Sequence, residues 1–331
     1  MLMEQTVTQK SIKNPAPKGP DSFHLGIPFK LQDKINVWVL RTLAFAIITM
    51  LATLIVLLFK QSGEAVKEFG LWNFISTDNW NPVEDEFGGL SFLYGTTVSS
   101  LLALAIAAPV SVAIALFLNE MLPAWLGKIL GLFVEMIAAI PSIVFGLWGI
   151  YYLAPFVKNT LTPMLKGSLG FLPLFQGPSF GIGMLTASLI LAIMIVPTIT
   201  SICREVFKTI PGHQKEAALA LGATRYEMIK LAILSPSFSG IMGGVVLGFG
   251  RALGETMAVA MVIGNSTTIS SSLLAPASTM ASVIANEYAE ADSDLHVAAL
   301  CLVGIFLFVI TLIINFAARS IVWHFNRKHA R

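Results

Sequence analysis

Arg251 and Glu255 stand four positions apart inside a long apolar run, in the stretch GFGRALGETMAV that covers residues 248–259. A charged side chain at the centre of a membrane helix costs roughly 2.5–3.5 kcal/mol, whereas each large apolar residue contributes only about 0.3–0.6 kcal/mol. If this run crosses a membrane, both charges must face protein or water. A spacing of four places them on one face of a helix, where they can pair with each other.

Two interpretations of this charge pair stay open on the residues alone. In the first, a self-satisfied ion pair only fixes how the helix packs. In the second, Arg251 and Glu255 form a charged gate or ion site along a pathway, with the Thr256 hydroxyl beside them as a hydrogen-bond donor. Ionisable residues inside membrane segments mark substrate and ion pathways by default, so the second interpretation is favoured.

The same run is rich in glycine. Gly244 with Gly248, and Gly250 with Gly254, form two patterns of small residues four apart. Such patterns allow a neighbouring helix to approach closely, so both are predicted to lie at helix contacts. Glu135, in another apolar run, is predicted to be a snorkelling or packing carboxylate near the inner surface.

The composition places the whole chain in a membrane. Of its 331 residues 55% are hydrophobic and only 12% are charged, with a mean hydropathy of +0.77, whereas a soluble domain is nearer 25% charged. About 20 apolar residues are needed to span the bilayer as a helix. Six runs meet that length: 35–59, 92–118, 129–153, 182–202, 241–264 and 297–318.

Lysine and arginine counts orient these six predicted helices. With the N-terminus inside, the inner segments carry fifteen such residues and the outer segments carry four. The positive-inside rule then places both termini in the cytoplasm. We therefore predict an all-α polytopic membrane protein with a cytoplasmic tail at 1–34, a transmembrane domain at 35–318 and a second cytoplasmic tail at 319–331.

Several classes of site are not expected. Cys203 and Cys301 share no loop, and Cys203 faces a reducing compartment, so no disulfide is predicted. No basic groove with interleaved aromatic residues points to nucleic acid. We also expect no catalytic residue and no metal site. The outer segment 265–296 carries enough apolar residues to fold partly back into the outer leaflet.

The inner segment 203–239 reads as a helix, a turn and a second helix. Pro211 suits the start of the first helix, and Gly222 suits a left-handed cap at its end. Thr224 followed by Glu227 is a capping box that begins the second helix. Ala217, Ala218 and Leu221 would give the first helix a small apolar patch. That patch fits plain interfacial structure and a plug for a groove on a cytosolic partner equally well.

The sequence EAALALG in this segment resembles the EAA loop of permease subunits of ATP-binding-cassette importers. The resemblance falls on Glu216, Ala217, Ala218 and Gly222, with Leu221 in the same short helix. It implies a coupling helix that docks in a cleft of an ATPase subunit. The family usually has Leu-Pro at the end of the loop, whereas here Leu234 is followed by Ser235 and Pro236.

Three further stretches are similar to permeases of the bacterial phosphate importer, specifically its PstC-type subunit: GFGRALGETMAVAMVIGN at 248–265, REVFKTIPG at 204–212 and ASVIANEYAEA at 281–291. The resemblance covers about residues 35–318. It implies the type I importer permease fold and a multi-pass protein of the bacterial inner membrane. It also implies alternating access along a pathway shared with a second, PstA-type permease.

The resemblance further implies two copies of a PstB-type ATPase and a periplasmic PstS-type phosphate-binding protein as partners. This sequence contains no G-x-x-x-x-G-K-[ST] motif, so ATP and Mg²⁺ are expected on the ATPase, and this chain is expected to bind no cofactor and to be no enzyme. In the simplest scheme Glu255 holds Arg251 at rest and releases it when phosphate arrives.

Rival functions remain on the sequence alone. The cargo of such an importer could be another oxyanion, such as sulfate, molybdate or phosphonate. A gradient-driven secondary transporter could use Arg251 and Glu255 as a relay, although such carriers need no ATPase dock. A regulatory membrane subunit without transport is the last alternative.

Overall fold

The computed structural model describes residues 29–329, and most of them are helical. Residues 1–28 of the predicted N-terminal tail and the last two residues of the predicted C-terminal tail lie outside this range. The chain divides into two units between Leu54 and Ile55. The described part of the first unit belongs to one helix, and the second unit contains the candidate site.

The elements follow one another along the chain, and the longest connections are 170–183 and 263–279. The helices and strands are α1 (Phe29–Gln61), α2 (Gly63–Phe69), α3 (Leu71–Ser76), β1 (Trp80–Asn81), β2 (Glu86–Phe87), α4 (Leu90–Leu116), α5 (Ala124–Ala138), α6 (Ser142–Trp148), α7 (Ala154–Phe156), α8 (Thr162–Leu169), α9 (Met184–Lys208), α10 (Gly212–Ala220), α11 (Arg225–Met228), α12 (Ser235–Leu253), α13 (Met257–Val262), α14 (Met280–Glu287) and α15 (Asp294–His329). Four π-helical turns continue these helices at Phe117–Met121, Gly149–Leu153, Val157–Leu161 and Ile229–Leu234, and a 3₁₀ turn lies at Pro173–Phe175. The two strands form an antiparallel pair.

Six segments match the six predicted membrane runs in order. Five are helices long and apolar enough to cross a bilayer: Asp33–Phe69, Leu90–Met121, Met184–Lys208, Arg225–Leu253 and Asp294–His324. The sixth candidate is a bent pair, Ala124–Ala138 followed by Ser142–Leu169. The predicted all-α polytopic fold is therefore confirmed. Below, the side rich in lysine and arginine is called cytoplasmic, following the positive-inside rule.

The third predicted run is not one straight helix. It breaks between α5 and α6, and the two parts meet at 88°. Pro141 has no N–H to continue the hydrogen-bond ladder, and its ring disfavours helical geometry at Ile140 before it. Pro141 instead caps the start of α6.

Small residues recur along α4 where it packs on its neighbours. Every fourth residue is small and buried: Ser91, Gly95, Ser99, Ala103, Ala107, Ser111 and Ala115. At 3.6 residues per turn this series winds around the helix, so that Gly95 faces the Ser278 carbonyl while Ser111 faces α9. The Ser111 hydroxyl donates to the Val196 carbonyl at 3.2 Å, and the Thr200 hydroxyl donates to the Ser111 carbonyl at 3.4 Å. Small side chains let the backbones approach closely enough for these bonds, which is how membrane helices associate without a hydrophobic driving force.

The outer segment 265–296 folds back into the protein core. Leu273 and Leu274 are buried in the same core as α9 and α13. The first N–H groups of α9 donate to carbonyls of this returning chain, with Leu185 N bound to Leu273 O at 2.8 Å and Met184 N bound to Ala275 O at 3.1 Å. The returning chain thus satisfies donors that the start of a helix leaves unpaired.

Candidate functional site

The stretch that carries Arg251 and Glu255 is a break between two helices. The fifth predicted run was wrong as a single helix over 241–264, because α12 ends at Leu253 and α13 begins at Met257. Gly254 caps the end of α12, and its N–H still donates to Gly250 O at 3.3 Å. At the other end the helix begins earlier than predicted, because the π-helical turn leads from α11 directly into α12.

Arg251 lies in the last turn of α12 and is half-buried. Its Nη1 donates to Oγ1 of Thr198 in α9 at 3.0 Å. Thr198 directly follows Pro197, which lies inside α9. At a rise of 1.5 Å per residue, Arg251 lies about 24 Å along the axis from Ser235, at the end of the span away from the cytoplasmic side. A neutral hydroxyl therefore fixes this guanidinium and leaves its charge uncompensated by that contact.

Glu255 lies inside the break, and its side chain turns toward α13. Its Oε1 accepts from the N–H of Ala258 at 3.4 Å, in the first turn of that helix. A carboxylate is favourable at this position because the start of a helix carries unpaired N–H groups and partial positive charge. The Thr256 hydroxyl donates to the Gly254 carbonyl at 3.2 Å. Both polar residues thus stabilise the break itself.

The predicted Arg251–Glu255 pair is wrong. The side chains form no ion pair with each other, since one bonds to α9 and the other to α13. The spacing of four brings two residues together only on an uninterrupted helix. Because α12 ends between them, Glu255 leaves the face that Arg251 occupies. Arg251, in the last turn of α12, and Glu255, in the connection after it, nevertheless remain four positions apart.

The two glycine patterns have different surroundings. A methyl group added to Gly248 would lie 2.6 Å from Cγ1 of Ile199, and one added to Gly244 would lie 3.2 Å from Cγ2 of Ile202. This pair seats α12 tightly on α9, as predicted. Gly250 has no atom of the described chain within 4 Å of such a methyl group. The prediction that the Gly250–Gly254 pattern lies at a helix contact is therefore wrong for the described part of this chain.

A second charged contact lies toward the cytoplasmic end. Arg204 is only 5% exposed, and its Nη1 donates to Oε1 of Glu135 at 3.3 Å. The guanidinium crosses α5 directly over Gly131, where an added methyl group would lie 1.8 Å from Nη1. This contact confirms Glu135 as a packing carboxylate and shows why α5 carries a glycine there.

The predicted cytoplasmic loop has the predicted local structure. Gly222 has φ +87°, a conformation that costs little only for glycine. Its N–H donates to Leu219 O at 3.0 Å, and that of Ala223 donates to Ala218 O at 3.2 Å, which together end α10 in a Schellman motif. Both reciprocal bonds of the capping box between Thr224 and Glu227 are present.

The candidate docking residues of α10 are mostly open to solvent. Leu221 is 90% exposed, and Glu216, Ala217 and Gly222 are also exposed. Ala218 differs, because it is half-buried and packs against the core of the transmembrane domain. The predicted apolar patch is thus divided between an outward side with Ala217 and Leu221 and an inward side with Ala218. An exposed leucine of this kind suits a contact with another protein.

Two contacts of this region were not predicted. Thr198 gives no sequence signal beyond its place after Pro197, and only the packing of α9 on α12 brings it to Arg251. Lys215 of α10 pairs with Glu120 at 2.5 Å, although 95 residues separate them. A signal for this pair was available, since Glu120 ends one apolar run and Lys215 stands beside the EAA sequence.

Comparison with known proteins agrees with this architecture. The profile of the family described as binding-protein-dependent transport system inner membrane component matches residues 107–330. The chain belongs to this family. A phosphate transport system permease protein PstC of Mesorhizobium japonicum is 44% identical over 91% of this chain and 93% of its own length. The corresponding protein of Xylella fastidiosa (strain Temecula1) is 45% identical over 86% and 88%.

Two solved structures share the fold. A bacterial ABC transporter described as importing the acidic polysaccharide alginate superposes with a TM-score of 0.59 and 18% identity, over 90% of this chain and 99% of that one. A second structure of an alginate transporter, with its periplasmic protein bound to an alginate pentasaccharide, gives a TM-score of 0.58 at 16% identity, over 87% and 94%. The family membership makes this chain a multi-pass inner-membrane transport subunit and not a catalyst.

Proposed function

We propose that this chain is a permease subunit of an ATP-driven importer of inorganic phosphate and forms half of its translocation pathway. The observation that carries the proposal is the break of α12 after Leu253, which leaves half-buried Arg251 beside Thr198 in the last turn of an apolar span. Interrupted membrane helices surround the substrate sites of many transporters. The PstC descriptions of relatives at 44% and 45% identity support phosphate as the cargo.

Arg251 supplies the attraction for the anion. The planar guanidinium forms two parallel hydrogen bonds to phosphate oxygens, and it stays charged at any physiological pH. Thr198 occupies Nη1 without neutralising the charge. Glu255 is bound at the start of α13 and forms no contact with Arg251. Phosphate therefore does not have to displace Glu255 from Arg251 in this conformation. The negative charge of Glu255 instead keeps phosphate from remaining at the break.

The ATP-driven step belongs to partner subunits. We propose that Glu216 and Ala217 on the exposed side of α10, together with Leu221 and Gly222 directly after it, dock on a PstB-type ATPase. The proposed complex holds two copies of this ATPase. ATP and Mg²⁺ bind that ATPase, since this sequence has no phosphate-binding loop motif. A PstA-type permease completes the pathway, and a PstS-type periplasmic protein delivers phosphate to the outer side.

The proposal is tested with the complete complex. We expect this chain to co-purify with the ATPase and the second permease, and the reconstituted complex to take up phosphate only with ATP and the binding protein. A tenfold excess of sulfate, molybdate or phosphonate should leave phosphate uptake unchanged. Uptake that follows an ion gradient without ATP would establish the secondary transporter instead, and competition by one of the other oxyanions would reassign the cargo.

A further inference from the structure

Few side-chain contacts attach the coupling helix α10 to the transmembrane domain. None of its side chains is fully buried. Its chain connections lead to α9 through Pro211 and to α11 through Gly222. Among the described residues, one ion pair joins an α10 side chain to a membrane helix. Lys215 Nζ donates to Glu120 Oε1 at 2.5 Å.

This contact is shielded from solvent on both sides. The Glu120 side chain is 10% exposed and the Lys215 side chain is 21% exposed. Glu120 lies in the π-helical turn Phe117–Met121 that continues α4, and its Oε1 also accepts from Asn119 Nδ2 at 2.6 Å. Charged groups at such low exposure interact more strongly than surface pairs, and loss of one leaves the other desolvated without a partner.

We propose that the Lys215–Glu120 ion pair fixes the angle of the coupling helix to the transmembrane domain, so that movement of the docked ATPase is passed to α4 as well as to α9 and α12. Lys215 and Glu120 are positioning residues, because neither lies on the exposed docking side nor near Arg251. Without the pair, α10 remains attached only at its two ends and through the packing of Ala218. The ATPase can then tilt the helix without moving α4 in proportion.

The inference rests on the proposed function, and its signature is a loss of coupling. In Glu120→Gln and Lys215→Gln complexes we expect ATP hydrolysis to continue while phosphate taken up per ATP falls about fivefold or more, within the usual range of coupling between sites. A charge exchange, Glu120→Lys with Lys215→Glu, restores an attractive pair and should recover the ratio to within about twofold of the unmodified complex.

A matched control is available on the same side of the membrane. Lys208 and Glu205 of α9 also form an ion pair, at 2.6 Å, but their side chains are 46% and 65% exposed. Exposed pairs of this kind contribute little to stability. The double variant Glu205→Gln with Lys208→Gln should keep the unmodified ratio of uptake to hydrolysis.

Reconstituted complexes with their binding protein give both quantities in one vesicle preparation. A normal ratio in both single variants would overturn the inference, as would a charge exchange that is no better than the singles. If the single variants fail to assemble with the ATPase, assembly and coupling of the exchanged pair support the inference and failure of the exchanged pair contradicts it. An unmodified complex without ATP-dependent uptake would instead remove the proposed function itself.

Discussion

The guanidinium of Arg251 donates to the hydroxyl of Thr198 at 3.0 Å, which joins the end of α12 to α9 one residue after Pro197. No carboxylate in the described part of the chain forms an ion pair with Arg251, and Glu255 is bound at the start of α13. The contact therefore orients a positive charge without cancelling it. This arrangement suits attraction of an anion better than a closed ion pair would.

Removing the Thr198 hydroxyl should weaken transport without unfolding the subunit. Thr198→Val keeps the approximate shape of the side chain but loses the bond to the charged guanidinium of Arg251, and bonds of this class are worth about 1.5–3 kcal/mol. We expect the apparent KM for phosphate, measured from initial uptake rates, to rise about tenfold or more, and we expect near-normal uptake in Thr198→Ser. Thr209→Val is the control, because that hydroxyl bonds only to its own helix. A KM in Thr198→Val equal to that of the control would contradict the role of the hydroxyl.

Neutralising Glu255 should change how long phosphate stays at the break. Glu255→Gln retains an oxygen that can accept from Ala258 N but removes the charge that repels an anion. We expect the apparent KM for phosphate to fall about three- to tenfold, together with a lower maximal rate because the anion leaves more slowly. Uptake measured over a range of phosphate concentrations distinguishes the two effects. Unchanged values of both would show that the Glu255 charge does not act on the anion.

We expect alanine substitutions in the two glycine patterns to have different effects on the thermal stability of the subunit. Gly248→Ala forces a methyl group against Ile199, and overpacking of this kind costs about 1–3 kcal/mol. Gly250→Ala meets no atom of the described chain within 4 Å and removes a weak helix former. In thermal unfolding of the detergent-solubilised subunit, Gly248→Ala should lower the Tm and Gly250→Ala should not. The reverse order would mean that α12 is rotated relative to α9.

We expect a substitution of the exposed Leu221, at the end of α10, to impair assembly with the ATPase without destabilising the subunit. Leu221 is 90% exposed, so Leu221→Asp should leave the Tm of the isolated subunit unchanged. If Leu221 docks on the ATPase, a buried carboxylate at that contact should reduce co-purification about tenfold or more. Lys208→Gln is a control at an exposed position outside α10. Full co-purification of the ATPase with Leu221→Asp would place the docking surface elsewhere.

Much of this fold follows from local sequence. The left-handed Gly222 and the capping box at Thr224 each depend on a few neighbouring residues, and the structure contains both. The six apolar runs all correspond to helical segments, although the third and the fifth are broken. Even the series of small residues in α4 can be read from the sequence at a spacing of four. A close helix contact at Gly248 was predicted for the same reason, and the structure shows that the neighbour is α9.

The errors arise where helices end inside an apolar run. Hydropathy does not distinguish a continuous helix from one interrupted at Gly254, because the residues on both sides remain apolar. The Arg251–Glu255 pair was inferred from helical spacing and failed with the helix. The actual partner of Arg251 is Thr198, which lies 53 positions away in the sequence. Lys215 and Glu120 are 95 positions apart. Pairings at that separation depend on tertiary packing.

The role of Arg251 is tested most directly by ATP-dependent uptake of radiolabelled phosphate in reconstituted complexes that carry Arg251→Gln, Arg251→Lys or the unmodified chain. Assembly with the ATPase is measured in the same preparations. We expect Arg251→Gln to assemble normally and to lose uptake about tenfold or more, and we expect Arg251→Lys to be intermediate because it keeps the charge without the planar fork. Normal uptake by an intact Arg251→Gln complex would contradict the claim that phosphate passes this guanidinium.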